Sequence, residues 1–419
     1  MHKPSELSSY SLNVTITAQI TVKPVQSSLP IVESKVDTPR FLITLDKGIG
    51  DTAIVGLSAI DQIIQNDPAA YGKIDVLCNP IQSQIFEFDP RINRVIQTDT
   101  QFSLGPQRTE WLGGIVLNAK DAQVIDFLRN RHYEAILPTI VAPGIYLRLH
   151  SHLMYPQVLK LTKNLLLRGT PSDVSMRKFI RQMVNKYFGN NISLAALSDE
   201  VVLYMDVKHI RKAVMVVEQM KEESSVDSGN ASLLLVAADS GSIVTRPPTH
   251  LLAAALSVVL RKSSNLIVGI LPGYTDTMAV KKLELALLPE FAGRVLMLPV
   301  ESNFTLLETA ALIDQADIFV TGDTGVMHLA AATKRIVQDQ STPIAPGNSV
   351  KIIAVFGGTN PDIWGDSERT LIVGRGRKEQ RSFGPGFVKE MYNPKGKDLF
   401  DHISFQELAT AIISQIRFL

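Results

Sequence analysis

Two glycine-rich stretches hold the residues of this chain that are best suited to chemistry. In "DKGIGDTA", residues Gly48 to Ala53 have the spacing G-x-G-x-x-A of a loop that holds phosphate at the start of a helix. In "TGDTGVMH", Gly322 to Gly325 follow an apolar run, and His328 lies about one helical turn further on. Glycines let a ligand approach the backbone, and a helix N-terminus offers free N–H groups and positive potential. Both stretches therefore predict ligand-binding loops.

The first stretch fits a dinucleotide-binding loop poorly. In such a loop the first glycine directly follows the strand, and an acidic residue at the end of the second strand binds the ribose. Here Asp46 and Lys47 come before Gly48, and Asp75 lies too early in the second strand, "KIDVLC". We therefore favour another interpretation, in which Asp51 is either a helix N-cap or a base that accepts a proton from an incoming hydroxyl. The position alone does not separate the two roles.

The second stretch predicts an anion site. Thr324 adds a hydroxyl to the loop, and Gly325 allows a phosphate to approach the backbone. Asp323 is either a helix cap or a ligand contact. His328 is either part of the site or a hydrogen-bonded histidine of the surface or core.

Alternating strands and helices must position both stretches. The first block reads as strands at 40–45, 74–78, 94–97 and 133–137, with a helix at 51–65, a helical region at 145–190 and a strand at 201–205 that closes the sheet. After the polar segment 221–232, the second block reads as strands at 233–237, 266–271, 294–298, 318–321 and 352–356, with helices at 250–262, 279–288, 305–316 and 326–332. This alternation predicts parallel sheets. Two such blocks predict an α/β protein of two Rossmann-like domains facing a cleft, with ligands at the carboxyl ends of the strands.

Composition excludes several classes of protein. Forty-two basic and 41 acidic residues give a formal net charge of +1, so there is no electrostatic case for binding nucleic acid. The single cysteine, Cys78, excludes an internal disulfide framework and fits a reducing compartment. No apolar run reaches the ~18 residues that span a bilayer. We expect a cytoplasmic protein with at most peripheral contact with the inner membrane.

The two stretches and their surroundings resemble a known family. "FLITLDKGIGDTAIVGLSAI", "KIDVLCNP" and "INRVIQTD" resemble the N-terminal half of glycosyltransferase family 9, the heptosyltransferases. "NFTLLETAALIDQADIFVTGDTGVMHLAAAT" followed by "IIAVFGGTNPDIWG" resembles its C-terminal half more specifically. The resemblance implies a GT-B fold and an inverting transfer, without metal or cofactor, from a nucleotide-sugar donor, usually ADP-heptose, to a glycan, lipopolysaccharide core or other hydroxyl acceptor. No Asp-x-Asp pair occurs in the sequence, which agrees with metal independence.

The resemblance also implies roles for individual residues. Asp51 matches the general base, with Lys47, Gly48 and Gly50 on the acceptor side. The residues expected to bind the donor are Asp323, Thr324, Gly325, His328, Phe304, Arg246 and Asp276. Of these, Phe304 is either a contact of the nucleobase or a core aromatic, and Asp276 would hold the ribose hydroxyls. The expected domains are an N-terminal extension at 1–38, an acceptor domain at 39–222, a nucleotide-sugar domain at 223–400 and a C-terminal helix at 401–419.

Three departures from the family pattern leave the acceptor and the sugar open. After "LLLVAA" the family shows a glycine, a basic residue and a Trp-Pro pair, whereas this chain has "DSGSIVTRPPTH" with Arg246 as its only candidate cation. Pro138 stands where the family has an aspartate, and residues 334–350 form an insertion. Two alternatives therefore stay open: a catalytically silent nucleotide-sugar-binding protein on the same fold, and a nucleotide-sugar epimerase on a GT-B-like fold.

Overall fold

A four-stranded parallel sheet carries the first glycine-rich stretch. Its strands are β1 Phe41–Thr44, β2 Ile74–Cys78, β3 Ile92–Gln97 and β4 Ala135–Pro138. They lie in the order β3-β2-β1-β4, with Phe41 beside both Ile74 and Ala135. β1 and β2 are buried along their whole length, as expected for parallel strands covered on both faces.

The computed structural model describes most of the chain from Arg40 onwards. The described residues are 40–45, 48–97, 127–128, 131, 133–138, 174–240, 244–273, 277–298, 304–337, 339–343, 350–366, 368–374 and 399–416. All of them belong to one compact unit, residues 32–419. The predicted extension at 1–38 lies outside the described residues, and the predicted domain boundaries stay predictions.

Helices cover the first sheet. The chain leaves β1 and enters α1, Ile49–Asp51, which continues through a π-helical segment, Thr52–Gly56, into α2, Leu57–Asn66. A short helix, α3 Pro80–Ser83, follows β2. The helix α4, Met176–Tyr187, packs against α2. We call this sheet with α1 to α4 the N-terminal lobe.

A six-stranded parallel sheet carries the second glycine-rich stretch. Its strands are β6 Ser232–Val236, β7 Leu266–Ile270, β8 Val295–Met297, β9 Ile318–Gly322, β12 Lys351–Val355 and β13 Thr370–Val373, in the order β13-β12-β9-β6-β7-β8. Along β6, Leu233 and Leu235 join one apolar core while Leu234 and Val236 join another. The sheet is therefore buried on both faces.

The helices of this second sheet complete what we call the C-terminal lobe. They are α5 Val207–Glu223, α6 Thr249–Lys262, α7 Thr277–Phe291, α8 Leu306–Asp314, α9 Gly325–Ala331, α10 Pro361–Trp364 and α11 Phe405–Ile416. α5 packs on α8, and α11 packs on α6. Ser404 accepts a hydrogen bond from the Glu407 N–H at 3.1 Å. A serine followed three residues later by a glutamate is the sequence pattern of such a helix N-cap. In the described part of the chain, no helix is long and apolar enough to cross a membrane.

The strand predicted at 201–205 does not close the first sheet, so that prediction is wrong. β5, Val202–Met205, instead pairs in parallel with β10, Thr333–Ile336. β10 in turn pairs antiparallel with β11, Asp339–Pro343. An apolar pattern identifies a strand but not its partner, and this partner extends into the segment 334–350 that was expected to be an insertion. The other predicted strands within the described residues match observed ones to within two residues at each end, and β10, β11 and β13 were not predicted.

Candidate functional site

Each glycine-rich stretch lies where the strand order of its sheet reverses. In the N-terminal lobe, β1 lies between β2 on one side and β4 on the other, and the first stretch follows β1. In the C-terminal lobe, β6 and β9 are neighbours at the reversal, and the second stretch follows β9. Ligands of open parallel sheets bind outside the carboxyl ends of strands at this point. The topology therefore places both stretches where a ligand is expected.

The two stretches touch each other. A Cβ atom added to Gly325 would lie 2.6 Å from the Ile49 Cβ and 3.0 Å from the Gly50 backbone nitrogen. A Cβ atom added to Gly50 would lie 3.1 Å from the His328 Cδ2. Neither glycine therefore has room for a side chain unless its neighbours move. The start of α1 is therefore in contact with the start of α9, where the sequence predicts that the two domains face each other.

The helix after β1 begins earlier than predicted, and Asp51 is not its cap. Gly48 is the N-cap, with extended backbone and no side-chain hydrogen bond. The Gly48 carbonyl oxygen accepts hydrogen bonds from both the Thr52 N–H and the Thr52 hydroxyl at 3.2 Å. Asp51 is the third helical residue, followed by the π-helical segment. Such π-helical turns occur often at functional sites. The general-base role remains a prediction, since the Asp51 side chain is outside the described structure.

The loop after β9 is held by its own side chains. Thr324 is the N-cap of α9, so the interpretation of Asp323 as that cap is wrong. The buried Thr324 and Thr321 hydroxyls lie 3.0 Å apart, within hydrogen-bonding distance. The carboxylate of Asp323 lies 3.3 Å from the His328 Nε2, and His328 is buried. The three predicted side chains of this loop and its helix, those of Asp323, Thr324 and His328, thus each have a partner within the loop or the helix.

Two cationic side chains bind carbonyl oxygens at the C-terminal end of α9. The Lys334 ammonium donates to the Ala330 carbonyl oxygen and lies 2.7 Å from the Asp314 carboxylate. The Arg369 guanidinium donates to the Ala331 carbonyl oxygen at 3.0 Å. Cations at a helix C-terminus offset its negative dipole end.

Arg246 lies in the loop after β6, at the reversal of the second sheet. Its guanidinium donates to the Ser240 carbonyl oxygen at 2.8 Å and lies 4.0 Å from the Asp239 carboxylate. A Cβ atom added to Gly322 would lie 2.2 Å from the Thr245 carbonyl oxygen, so this loop lies against the end of β9. Arg246 is therefore next to the predicted donor loop, and one quarter of its side chain is exposed.

Phe304 comes directly before the capping residue of α8. Only 8% of its surface is exposed, it joins the apolar core, and the Lys212 ammonium lies 4.8 Å from its ring centroid. This burial agrees with the core-aromatic interpretation, and contact with a nucleobase remains a prediction. Two other predicted residues, Lys47 and Asp276, lie outside the described residues.

A buried charged pair beside His328 was not predicted from the sequence. The Arg177 Nη2 lies 3.5 Å from the His328 Nδ1, and its Nη1 lies 3.2 Å from the Asp366 carboxylate. Burial lowers the pKa of Arg177, and Asp366 opposes this shift. The only signal in the sequence is the pair Arg177 and Arg181, one helical turn apart among apolar residues. That spacing is also common on exposed helices.

A second missed contact joins the lobes near Phe304. Gln84, at the end of α3, accepts a hydrogen bond from the Leu306 N–H at 2.9 Å. A side chain of the N-terminal lobe thus satisfies one free donor at the start of α8. Within the described part of the chain, no cluster of three or more His, Cys, Asp or Glu residues is arranged to hold a metal ion.

Comparison with known proteins gives a family match in part of the chain and a fold for most of it. Residues 295–385 match the model of glycosyltransferase family 9 (heptosyltransferase). No curated protein matches the chain. A glycosyl transferase family 9 structure from Veillonella parvula DSM 2008 is similar to this chain, with a TM-score of 0.60 and 12% identity over 91% of this chain and 98% of that chain.

Two structures from E. coli share the fold at 16% identity. ADP-heptose lps heptosyltransferase II has a TM-score of 0.54, covering 87% of this chain and 99% of its own. Heptosyltransferase WaaC with ADP has a TM-score of 0.50, covering 85% of this chain and 99% of its own. At this identity they establish the fold, which is the expected GT-B fold. With the family match, they confirm the resemblance to family 9 and the expectation of a glycosyltransferase.

Proposed function

We propose that this chain is an inverting, metal-independent glycosyltransferase that moves a heptose or related sugar from ADP-heptose to a hydroxyl of a glycan acceptor such as a lipopolysaccharide core. The observation that carries the proposal is the contact between the two switch-point loops, Gly50 against Gly325 and His328. A group-transfer enzyme must bring a donor and an acceptor together, and each loop lies at the ligand-binding position of its own sheet. The match to a heptosyltransferase family and the ADP in one structure of the same fold support the donor.

The C-terminal lobe binds the donor in this proposal. Thr324 and the backbone N–H groups around Gly325 contact the diphosphate, and Arg246 next to them adds a positive charge. Asp323, held by His328, accepts hydrogen bonds from sugar hydroxyls. Negative charge grows on the diphosphate as it leaves, and donors fixed in advance stabilise that charge without reorganisation.

The N-terminal lobe binds the acceptor and supplies the base. Asp51 removes the proton from the acceptor hydroxyl, whose oxygen forms a bond to the anomeric carbon. The bond from that carbon to the diphosphate oxygen breaks, and the nucleoside diphosphate leaves with the electron pair. Attack opposite to the leaving group inverts the anomeric centre. The contact between the lobes limits access of water, which would otherwise hydrolyse the donor.

The substitution Asp51→Asn tests the proposed base. Transfer of sugar from ADP-heptose to a lipopolysaccharide-core acceptor, followed by mass spectrometry, should fall at least 100-fold, since a positioned base contributes about 10²–10⁴-fold. The affinity for ADP, measured by calorimetry, should stay within a few-fold because Asp51 acts on the acceptor.

Asp227→Asn is the matched control, since it makes the same chemical change in a loop outside both switch points. It should retain full transfer. If wild-type protein binds ADP but transfers no sugar to any acceptor, the chain is a silent binding protein. If it binds neither ADP nor ADP-heptose, the proposed donor is wrong.

A further inference from the structure

The Arg177 guanidinium is a buried cation next to the donor loop, and the proposed reaction does not use it. Only 2% of this residue is exposed. Its two terminal nitrogens contact different partners, His328 on one side and Asp366 on the other. Its Nε is buried without a hydrogen-bond partner. Burying a charge in this way is costly, so the contacts that it makes are expected to have a use beyond packing.

The chemistry of arginine fixes which nitrogen of His328 carries the proton. A guanidinium has only N–H donors, so the His328 Nδ1, which lies 3.5 Å from the Arg177 Nη2, can only accept in this contact. The proton of the neutral ring is then on Nε2. This nitrogen lies 3.3 Å from the Asp323 carboxylate and can donate to it. The three side chains therefore form one directed chain of contacts that ends in the donor loop.

We propose that Arg177 is a positioning residue: by fixing the tautomer and orientation of His328, it holds the Asp323 carboxylate in the geometry that binds the donor. The role of Asp323 in this inference rests on the proposed function. Arg177 acts through His328 and has no contact with substrate in this assignment.

The position of Arg177 links the donor loop to the other lobe. Arg177 is the second residue of α4, which packs on α2 of the N-terminal lobe, whereas His328, Asp323 and Asp366 belong to the C-terminal lobe. The donor loop is thus completed by a side chain from the acceptor lobe. Donor binding should therefore weaken when this side chain is lost, although the loop itself is intact.

Two substitutions of Arg177 and one control separate positioning from simple stability. Arg177→Met removes both contacts, while Arg177→Lys provides a single ammonium that can pair with Asp366 but cannot span both partners. Arg181→Met is the control, since Arg181 is equally buried one turn later and contacts Asp61 and the Glu200 carbonyl oxygen, away from the donor loop.

The first readout is the affinity for ADP-heptose and for ADP by calorimetry, with the melting temperature measured alongside. We expect Arg177→Met and Arg177→Lys to weaken ADP-heptose binding at least tenfold, and ADP binding less, because Asp323 is assigned to the sugar. Arg181→Met should lower the melting temperature but leave both affinities within twofold. If Arg177→Lys restores the affinity, or if Arg181→Met lowers it as much, Arg177 is only a structural residue and the proposal is overturned.

The second readout needs no ligand, so it is independent of the proposed function. Nitrogen-15 NMR of ring-labelled histidines, with His328→Gln to assign the signals, reports each ring nitrogen. Wild type should show a protonated Nε2 and an unprotonated Nδ1 whose resonance moves in Arg177→Met and stays in Arg181→Met. A protonated Nδ1 in wild type would overturn the tautomer argument. A correct tautomer with no ADP-heptose binding would instead reject the proposed donor.

Discussion

At the scale of single residues, two glycines decide how closely the lobes approach. Gly325 and Gly50 have no Cβ, and this allows the backbone of one loop to lie against the other loop. A side chain at Gly325 would meet the Ile49 Cβ at 2.6 Å and the Gly50 backbone nitrogen at 3.0 Å. Contacts this short force one loop to move, and both backbones are held by helices.

We therefore expect Gly325→Ala to destabilise the protein by about 1–3 kcal/mol, the usual cost of overpacking. It should also weaken ADP binding, because the donor loop must shift. Gly48→Ser is the matched control for stability, since among the described residues no atom beyond its chain neighbours lies within 4 Å of a Cβ at Gly48, and serine is a favoured N-cap. Denaturant unfolding should place it within about 0.5 kcal/mol of wild type. Equal stability of Gly325→Ala and wild type would show that the loops do not press together in solution.

For these residues, the local motif could be predicted from the sequence, but the contacts with distant parts of the chain could not. The spacing of glycines, Asp323, Thr324 and His328 predicts the donor loop, because these residues lie close together in the chain. Arg177 is about 150 positions away from His328, and no local pattern reports a contact at that separation. The glycines of both loops were recognised in the sequence, but the contact between the two loops is visible only in the fold.

At the scale of elements, α8 is fixed by contacts that a local pattern reveals only in part. Thr305 and Glu308 form a reciprocal capping box that the sequence shows directly. The Lys212 ammonium of α5 lies 3.0 Å from the Glu308 carboxylate, and this contact follows only from the packing of α5 on α8. The same limit applies to β5. Its apolar pattern predicted a strand, but its pairing partner, β10, lies more than 120 residues away in the chain.

The capping carboxylate of α8 should make stability depend on pH. Burial alone would raise the pKa of Glu308, but the Thr305 N–H and Lys212 outweigh it, and the net pKa is lowered. Because the folded-state pKa is below the unfolded one, the stabilisation is present above the ordinary value of 4.5 and is lost as the pH falls through the folded pKa. Glu308→Gln keeps the capping hydrogen bonds but has no charge.

We expect Glu308→Gln to lose about 0.5–1 kcal/mol at pH 7, a small value because Lys212 is partly exposed. Near pH 3, which is below the ordinary value of 4.5, the loss should shrink, because protonation of the carboxyl is favoured as the pH falls. Urea unfolding at both pH values measures the difference. Glu290→Gln, which removes an exposed pair with Arg261, should change less at either pH. A loss that is equal at both pH values would mean that the charge of Glu308 contributes nothing.

At the scale of the whole molecule, the two lobes meet at several separate points. α1 lies against α9, Gln84 binds the start of α8, and Arg177 reaches Asp366. Two parallel sheets with their switch points facing one another were predictable from the alternation of strands and helices. Which side chains cross between the lobes was not, because each contact joins segments more than 140 residues apart.

Because the lobes are in contact, a ligand bound to one lobe should also change amide hydrogen exchange in the other. ADP bound at the donor loop stabilises the folded form of the residues around it. Since α1 packs directly on α9, ADP should slow amide hydrogen exchange at 49–56 as well as at 322–331, although the proposal places no ADP contact at 49–56. α11, which packs on α6, should exchange at an unchanged rate. AMP, which has one phosphate fewer, should protect both segments less at equal concentration. Protection confined to 322–331 would show that the two lobes are apart in solution when ADP occupies the donor loop. The contact between the two loops would then have to form only when the acceptor binds.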